Sequence, residues 1–132
     1  MKKGALLNQP VSAVVAAMGH TDTLVIADAG LPIPSGTQRI DLALTEGVPG
    51  FLETLRVILT EFEVETAVIA AEMVAVSPDL YAAVVELLGD IPIDEVSHEI
   101  FKEMSRSARA VVRTGEFTPY ANIILSAGVV FS

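Results

Sequence analysis

The sequence contains no cysteine, only two histidines and only 8 basic residues among its 132. The lack of cysteine excludes disulfides, thiol nucleophiles and metal sites built on thiolates. Two histidines, His20 and His98, are too few for a histidine-rich metal site. With 17 acidic residues against 8 basic ones, the formal charge is −9. Nucleic-acid binding is therefore not expected, because it requires a basic patch.

Apolar residues are abundant by contrast. They make up 52% of the chain, charged residues only 19%, and the mean hydropathy is +0.56. This composition is the opposite of a disordered one. The length predicts a single domain over residues 1–132 with a sizeable core. The high hydropathy indicates either a membrane protein or apolar surface buried between subunits.

Two uncharged stretches test the membrane interpretation. Residues 4–21 carry no Asp, Glu, Lys or Arg and follow Lys2 and Lys3, as in a signal peptide. Pro10 and its polar neighbours interrupt this stretch, and residues 11–18 are about half as long as a membrane-spanning helix. Proline, glycine and polar residues also break residues 117–132. We therefore expect a soluble, cytoplasmic protein that self-associates and has no membrane partner, with a signal peptide as the alternative.

Strand-like and helix-like segments alternate along the chain. Apolar runs of the kind found in buried strands occupy residues 24–27, 66–71, 91–96, 110–112 and 123–131, with a further strand predicted at 39–44. Amphipathic segments predict helices at residues 9–18, 51–62, 78–88 and 98–106. This alternation predicts the α/β class, as a three-layer α/β/α single domain with a largely parallel central sheet and helices on both faces.

Polar residues follow several of the predicted strands. Asp28 and Glu72 each end an apolar run, and residues 113–116 follow another. Ligands of open α/β sheets bind beyond the carboxyl ends of the strands, so we expect a site there. Asp28 can either cap the next loop or accept a hydrogen bond from a ligand hydroxyl. Glu72 can equally be a helix-capping or subunit-contact residue. No phosphate-binding glycine loop or dinucleotide motif is present, which disfavours nucleotide cofactors.

Four further residues are candidates for the same site. Tyr120 and Asn122 combine a hydroxyl and an amide, a suitable pair for a polyol, although they can instead brace the turn at Pro119. His98 and Lys102 are four residues apart, so they share one face of a predicted helix. That face can line a polar pocket or be an ordinary solvated surface.

His20 lies on the turn after the first predicted helix. Histidine titrates near neutrality and can act as both acid and base in one reaction cycle. The alternative is a loop histidine that hydrogen-bonds the backbone. Because His20 precedes the first strand, chain order places it at the opposite edge of the sheet from Asp28. A neighbouring subunit or a curled loop would be needed to bring it to that site.

Four segments together resemble a known family. They are residues 19–22 (GHTD), 25–32 (VIADAGLP), 97–102 (SHEIFK) and 113–122 (RTGEFTPYAN). These segments are similar, in order and spacing, to those of the D-ribose pyranase family, and the match covers nearly the whole chain. Residues 9–10 (QP) differ from the more polar helix start common in that family.

The resemblance implies an isomerase of ribose catabolism that interconverts the pyranose and furanose rings of D-ribose without cofactor or metal. It implies that His20 is the catalytic acid/base. It also implies ring-shaped homo-oligomers, pentamers paired into decamers, with pockets at subunit interfaces. The residues that it implies to line the sugar pocket are Asp28, His98, Lys102, Tyr120 and Asn122.

Two other functions remain as alternatives. The related fucose mutarotase family shares the Gly-His and Tyr-Ala-Asn elements, whereas residues 29–32 and 118–120 look like the ribose type. A mutarotase of another sugar is therefore the first alternative. The second is a non-catalytic sugar-binding or scaffold protein of ribose uptake.

Overall fold

A computed structural model describes residues 1–132 and contains six strands and five helices. The strands are β1 (Thr23–Ala27), β2 (Gln38–Asp41), β3 (Val64–Ala70), β4 (Ile93–Val96), β5 (Ala110–Arg113) and β6 (Ile123–Ala127). The helices are α1 (Gln9–Ala17), α2 (Phe51–Leu59), α3 (Ala71–Val76), α4 (Pro78–Leu88) and α5 (His98–Ser105).

All six strands form one sheet in the order β2-β5-β1-β6-β3-β4. The pairings β1–β5, β2–β5 and β3–β4 are parallel, while β6 is antiparallel to both of its neighbours, β1 and β3. Strands β1 to β5 therefore run in one direction and β6 alone runs against them. The carboxyl ends of five strands and the start of β6 meet at one edge of the sheet.

Both faces of the sheet are covered, which explains the continuous apolar runs. In β1, Leu24 and Ile26 point into the larger core, which includes buried residues of α1, α2, α3 and α4. Val25 and Ala27 point into a smaller core on the other face, together with Phe101 of α5. Side chains alternate between the faces of a strand, so a strand covered on both sides is apolar throughout. The predicted three-layer α/β class with a largely parallel sheet is confirmed.

The helix and strand predictions differ from the structure most clearly at two places, and β2 and α2 each end three residues earlier than predicted, at Asp41 and Leu59. A six-residue helix, α3, follows β3 directly and was not predicted, so Glu72 lies in the first turn of a helix and does not end a strand. The last strand ends at Ala127, four residues before the predicted end at Phe131. Val130 and Phe131 are instead exposed.

The helices are short. The longest is α4, with 11 residues, and none has the length and apolar character that a bilayer crossing demands.

Candidate active site

The loop between β5 and β6, residues 114–122, crosses the carboxyl end of β1. This path follows from the sheet order, because β1 lies between β5 and β6. The connection contains no helix and is too short for a parallel crossover, so β6 has to return antiparallel. The loop therefore lies beside Asp28, the first residue after β1.

A cavity of about 660 Å³ opens at this edge of the sheet. Its walls come from the segment after β1, the start of α5, and the crossing loop. The lining residues are Asp28, Ala29, Gly30, Leu31, Pro32, His98, Arg113, Glu116, Phe117, Pro119 and Tyr120. Three of the residues singled out from the sequence, Asp28, His98 and Tyr120, thus share one cavity.

Asp28, which lines this cavity, forms two hydrogen bonds with Asn122. The Asp28 N–H donates to Asn122 Oδ1 at 2.8 Å, and Asn122 Nδ2 donates to Asp28 Oδ2 at 3.2 Å. Asp28 Oδ1 accepts from the N–H groups of Gly30 and Leu31, at 3.0 and 2.8 Å. Asn122 is fully buried, so its amide reaches the cavity only through Asp28. Asp28 Oδ2 keeps an acceptor position for a ligand hydroxyl.

His98 is the first residue of α5. Its N–H donates to both carboxylate oxygens of Glu72, at 3.1 and 3.0 Å. The Ser97 side chain caps the same helix by accepting from the Ile100 N–H at 3.2 Å. The imidazole packs edge-on against the Tyr120 ring, with centroids 5.1 Å apart. Its Nδ1 is buried without a partner, so Nε2 is the ring nitrogen left for a ligand.

Tyr120 has a positive φ of 62°. This region of backbone conformation is uncommon for residues other than glycine and clusters at functional sites. The turn is fixed by hydrogen bonds from the Ala121 N–H to the Thr118 carbonyl, at 3.4 Å, and from the Asn122 N–H to the Tyr120 carbonyl, at 2.9 Å. Tyr120 therefore lines the cavity, and backbone hydrogen bonds brace the turn at Pro119.

Lys102 lies outside this cavity. Its Nζ is 2.8 Å from Glu99 Oε1, and its side chain lines a neighbouring groove. The Lys102 ammonium donates to Glu99 and lowers the pKa of that carboxyl. Pro32 lines both the groove and the cavity. Lys102 would have to leave Glu99 to reach a ligand beside His98.

His20 lies at the opposite edge of the sheet, as chain order predicted. Thr21, Asp22 and the five residues of β1 separate it from Asp28, and the strand alone rises by about 17 Å. His20 Nε2 is 3.1 Å from Glu65 Oε1, and 51% of its side-chain surface is exposed. It lines a separate groove with Val130 and Phe131 at the chain terminus. Within one chain, His20 does not meet the other candidate residues.

Two charged residues of the cavity, Arg113 and Glu116, were not among the sugar-lining candidates. Arg113 Nε donates to the Ala29 carbonyl at 3.0 Å, and its Nη1 is 3.0 Å from Asp41 Oδ2. Glu116 binds the start of α2 through the Phe51 N–H at 3.0 Å. Both residues belong to the polar segment predicted to follow a strand. That position, where ligands of α/β sheets bind, could have identified them as site residues.

The cavity can hold a small polyhydroxylated molecule. Asp28 offers an acceptor, His98 a ring nitrogen, Tyr120 a hydroxyl, and Arg113 a cation beside apolar Leu31 and Phe117. No group of three or more His, Asp or Glu side chains is arranged to bind a metal ion. The arrangement suits hydrogen bonding to several hydroxyls and proton transfer at oxygen.

Comparison with known proteins decides the family. The model of the RbsD / FucU transport protein family matches residues 1–130. The chain belongs to this family. Among curated RbsD/FucU relatives, the D-ribose pyranase of Coprothermobacter proteolyticus is 62% identical over 131 residues, which cover 99% of this chain and 100% of the relative. The D-ribose pyranase of Vibrio vulnificus is 56% identical over 139 residues, with the same coverage.

Solved RbsD/FucU structures match as well. Bacillus subtilis RbsD complexed with D-ribose superposes with a TM-score of 0.96 and 47% identity, covering 99% of this chain and 100% of that one. The fucose mutarotase of Streptococcus pneumoniae in complex with L-fucose gives a TM-score of 0.84 at 26% identity, again over 99% and 100%. The resemblance seen in the sequence is confirmed, and the ribose-binding relative is the more similar of these two.

Proposed function

We propose that this protein is a D-ribose pyranase, an isomerase that interconverts the pyranose and furanose rings of D-ribose. The observation that carries this function is the similarity to D-ribose pyranases over their full length. The D-ribose pyranase of Coprothermobacter proteolyticus is 62% identical to this chain. The cavity at the carboxyl edge of the sheet agrees with it in size and chemistry. We also propose that residues 1–132 act as one domain, as the chain length indicates, and that the enzyme works in the cytoplasm, as the interrupted apolar stretches indicate.

The reaction requires only proton transfers at oxygen. The ribopyranose ring is a hemiacetal closed through the C5 oxygen. A proton added to that oxygen and a proton removed from the anomeric hydroxyl break the C1–O5 bond and give the open-chain aldehyde. Attack of the C4 hydroxyl on C1, with loss of its proton and protonation of the carbonyl oxygen, closes the furanose. No carbon–hydrogen bond breaks, so positioned acid and base groups suffice.

We assign the sugar-holding groups to the cavity. Asp28 Oδ2 accepts from a ribose hydroxyl, while Asn122 fixes the Asp28 carboxylate and its backbone. Tyr120 and His98 Nε2 contribute further hydrogen bonds, and Lys102 joins them if it exchanges Glu99 for the sugar. Holding the flexible open chain near its closing geometry accelerates the reaction through orientation.

The proposed proton shuttle, His20, must come from a second copy. In its own chain it faces away from the cavity, at the other edge of the sheet. Glu65, whose Oε1 lies 3.1 Å from His20 Nε2, can orient the ring. The neighbouring Val130 and Phe131 are 89% and 74% exposed, an apolar surface suited to subunit contact. We therefore propose a homo-oligomer, with paired pentamer rings as the expected form, in which His20 of one copy completes the cavity of the next.

The direct test is NMR exchange spectroscopy on D-ribose, with and without the protein at catalytic concentration. The pyranase function predicts faster exchange between the pyranose and furanose signals. An exchange rate equal to that of the protein-free control, with the protein folded, would contradict it.

A sugar panel separates the alternatives in the same experiment. Faster exchange of L-fucose anomers without an effect on ribose would indicate a fucose-type mutarotase. Ribose-dependent thermal stabilisation without any faster exchange would indicate a sugar-binding protein of ribose uptake. The pyranase proposal requires both binding and faster exchange with ribose.

A further inference from the structure

Glu116 is attached to three separate segments around the cavity. Its Oε1 accepts from the Phe51 N–H at 3.0 Å, at the first residue of α2. Gly50, which precedes α2, has no side chain to cap the helix, so the Glu116 carboxylate takes that role. Phe51 is fully buried. One oxygen of the Glu116 side chain is therefore attached to the main chain of a residue whose side chain lies in the larger core.

The other oxygen holds the crossing loop. Glu116 Oε2 accepts from Thr118 Oγ1 at 2.8 Å and from the Thr118 N–H at 3.3 Å. Thr118 begins the turn that carries Tyr120, because its carbonyl accepts from the Ala121 N–H at 3.4 Å. The carboxylate thus connects α2 directly to the turn that presents the Tyr120 ring.

The main chain of Glu116 holds the opposite wall of the cavity. Its carbonyl accepts from the Ala29 N–H at 2.9 Å, one residue after Asp28. Its N–H donates to Thr114 Oγ1 at 3.2 Å, and that hydroxyl donates to the Ala27 carbonyl at 2.7 Å. Glu116 therefore ties the end of β1 to the crossing loop, as the Asp28–Asn122 pair also does.

We propose that Glu116 is a positioning residue of the ribose cavity, which fixes the Asp28 wall and the Tyr120 turn relative to each other and to α2. Both carboxylate oxygens are occupied by protein donors, so Glu116 acts through Asp28 and Tyr120 without contacting the sugar. The effect on catalysis rests on the proposed ribose pyranase function. The effect on the geometry of the cavity does not.

The substitution Glu116→Gln tests the role because it preserves size but leaves one acceptor oxygen. That oxygen can accept a hydrogen bond from either Phe51 or Thr118. The NH2 group of the Gln side chain then faces the N–H of the other residue, and two donors cannot pair. Hydrogen bonds to charged groups are strong, so losing one should loosen the Tyr120 turn. Because the rate depends on how the sugar is oriented, we expect ribose exchange per folded site to fall about ten- to hundredfold. Ribose binding should also weaken. Calorimetric titration with ribose and NMR exchange measure the two effects separately.

Thr118 and Thr54 provide matched variants. Thr118→Val removes the hydroxyl that donates to Glu116 and should weaken ribose binding, whereas Thr118→Ser keeps the hydroxyl and should restore it. Thr54 Oγ1 donates to the Gly50 carbonyl at 2.8 Å at the same end of α2, away from the cavity. Thr54→Val should lower thermal stability without changing ribose affinity. An equal loss of affinity in Thr54→Val would overturn the proposal, because it would show that only the stability of α2 matters.

An activity-independent readout separates this proposal from the proposed function. In Glu116→Gln the backbone amides of Ala121 and Asn122 should exchange with solvent at least several-fold faster than in the wild type, while Thr54→Val should leave them unchanged. Unchanged exchange at both amides in Glu116→Gln would refute the positioning role. If instead the wild type fails to accelerate ribose exchange, the function fails while the amide result still decides the positioning role.

Discussion

At the scale of the residue, His98 shows how burial selects one atom of a side chain for ligand contact. Its ring lies edge-on to Tyr120 and nearly parallel to the Phe101 ring, at centroid distances of 5.1 and 6.4 Å. Nδ1 is buried without a partner, and an unpaired buried N–H is less tolerated than an unpaired acceptor. We therefore assign the hydrogen of the neutral ring to Nε2, where it can serve as a donor to a ligand in the cavity.

This assignment predicts a difference between two amide replacements. The amide nitrogen of Gln reaches the position of His98 Nε2, whereas that of Asn reaches only the position of Nδ1. We expect His98→Gln to keep ribose affinity within about threefold of the wild type and His98→Asn to lose about tenfold, the equivalent of one hydrogen bond. Titration calorimetry measures both. Equal affinities of the two variants would argue against Nε2 as the donor.

Glu116 also governs the response of stability to acid. Partial burial raises the pKa of Glu116, but hydrogen bonds from Phe51 and Thr118 outweigh it and hold the pKa below the ordinary value of 4.5. A pKa lowered by folding means that the charged form stabilises the folded state. That contribution is fully present above the unfolded value and is lost as the pH falls through the folded value.

The free energy of unfolding should therefore differ most between wild type and Glu116→Gln near neutral pH. The difference should shrink below about pH 4.5, where the protonated carboxyl comes to resemble the amide. Urea unfolding at several pH values between about 3 and 7 measures it. A difference that stays constant over this range would show that the charge of Glu116 does not contribute.

At the scale of the element, local sequence determined most helices and strands but not the long-range contacts between them. The start of α1 was predictable from Pro10, and Asn8 caps it by accepting from the Val11 N–H at 3.0 Å. The helix α3 was missed because its N-cap, Ala70, has no capping side chain and the helix is only six residues long. The hydrogen bond from the Phe51 N–H to the Glu116 carboxylate joins residues 65 positions apart, and no local pattern encodes it.

Gly115 makes such a contact, between the crossing loop and the segment before α2. A Cβ there would overlap the Thr45 carbonyl oxygen and the backbone of Val48. Gly115 also donates to the Pro49 carbonyl at 2.9 Å. The obstacles are backbone atoms, which cannot rotate away as a flexible side chain can, so the chain must shift to accept a methyl group.

We expect Gly115→Ala to destabilise the fold by about 2 kcal/mol, within the usual cost of overpacking. Gly36→Ala is the matched control, since a Cβ at Gly36 meets nothing within 4 Å. It should change the free energy of unfolding by less than about 0.5 kcal/mol. Urea denaturation of both variants provides the comparison, and a similar cost at the two positions would contradict the close approach at Gly115.

At the scale of the whole molecule, the candidate residues divide between two edges of the sheet. The sequence was sufficient to place Asp28 and His20 at opposite edges, because β1 is a continuous apolar strand between them. It also predicts self-association through apolar surface, and this stays a prediction. It could not show that the terminal residues Val130 and Phe131 lie beside His20, because that contact depends on the antiparallel course of β6.

A site shared between copies predicts that two impaired variants restore each other when their subunits mix. His20→Ala keeps an intact cavity, and His98→Ala keeps an intact His20. In oligomers mixed at random in equal amounts, half of the cavities are intact and half of their neighbours supply His20. Because ½ × ½ is ¼, about a quarter of wild-type exchange activity should return, as the geometry of a ring with one kind of head-to-tail interface requires.

The experiment compares ribose exchange in refolded mixtures with each variant refolded alone. Separately refolded variants that are combined without subunit exchange serve as the control and should show no more activity than the variants alone. If His20 instead reached the cavity of its own chain, every subunit of the mixture would carry one defect and no activity would return. Recovered activity would therefore assign the two edges of the sheet to the two halves of one active site, completed only between neighbouring copies.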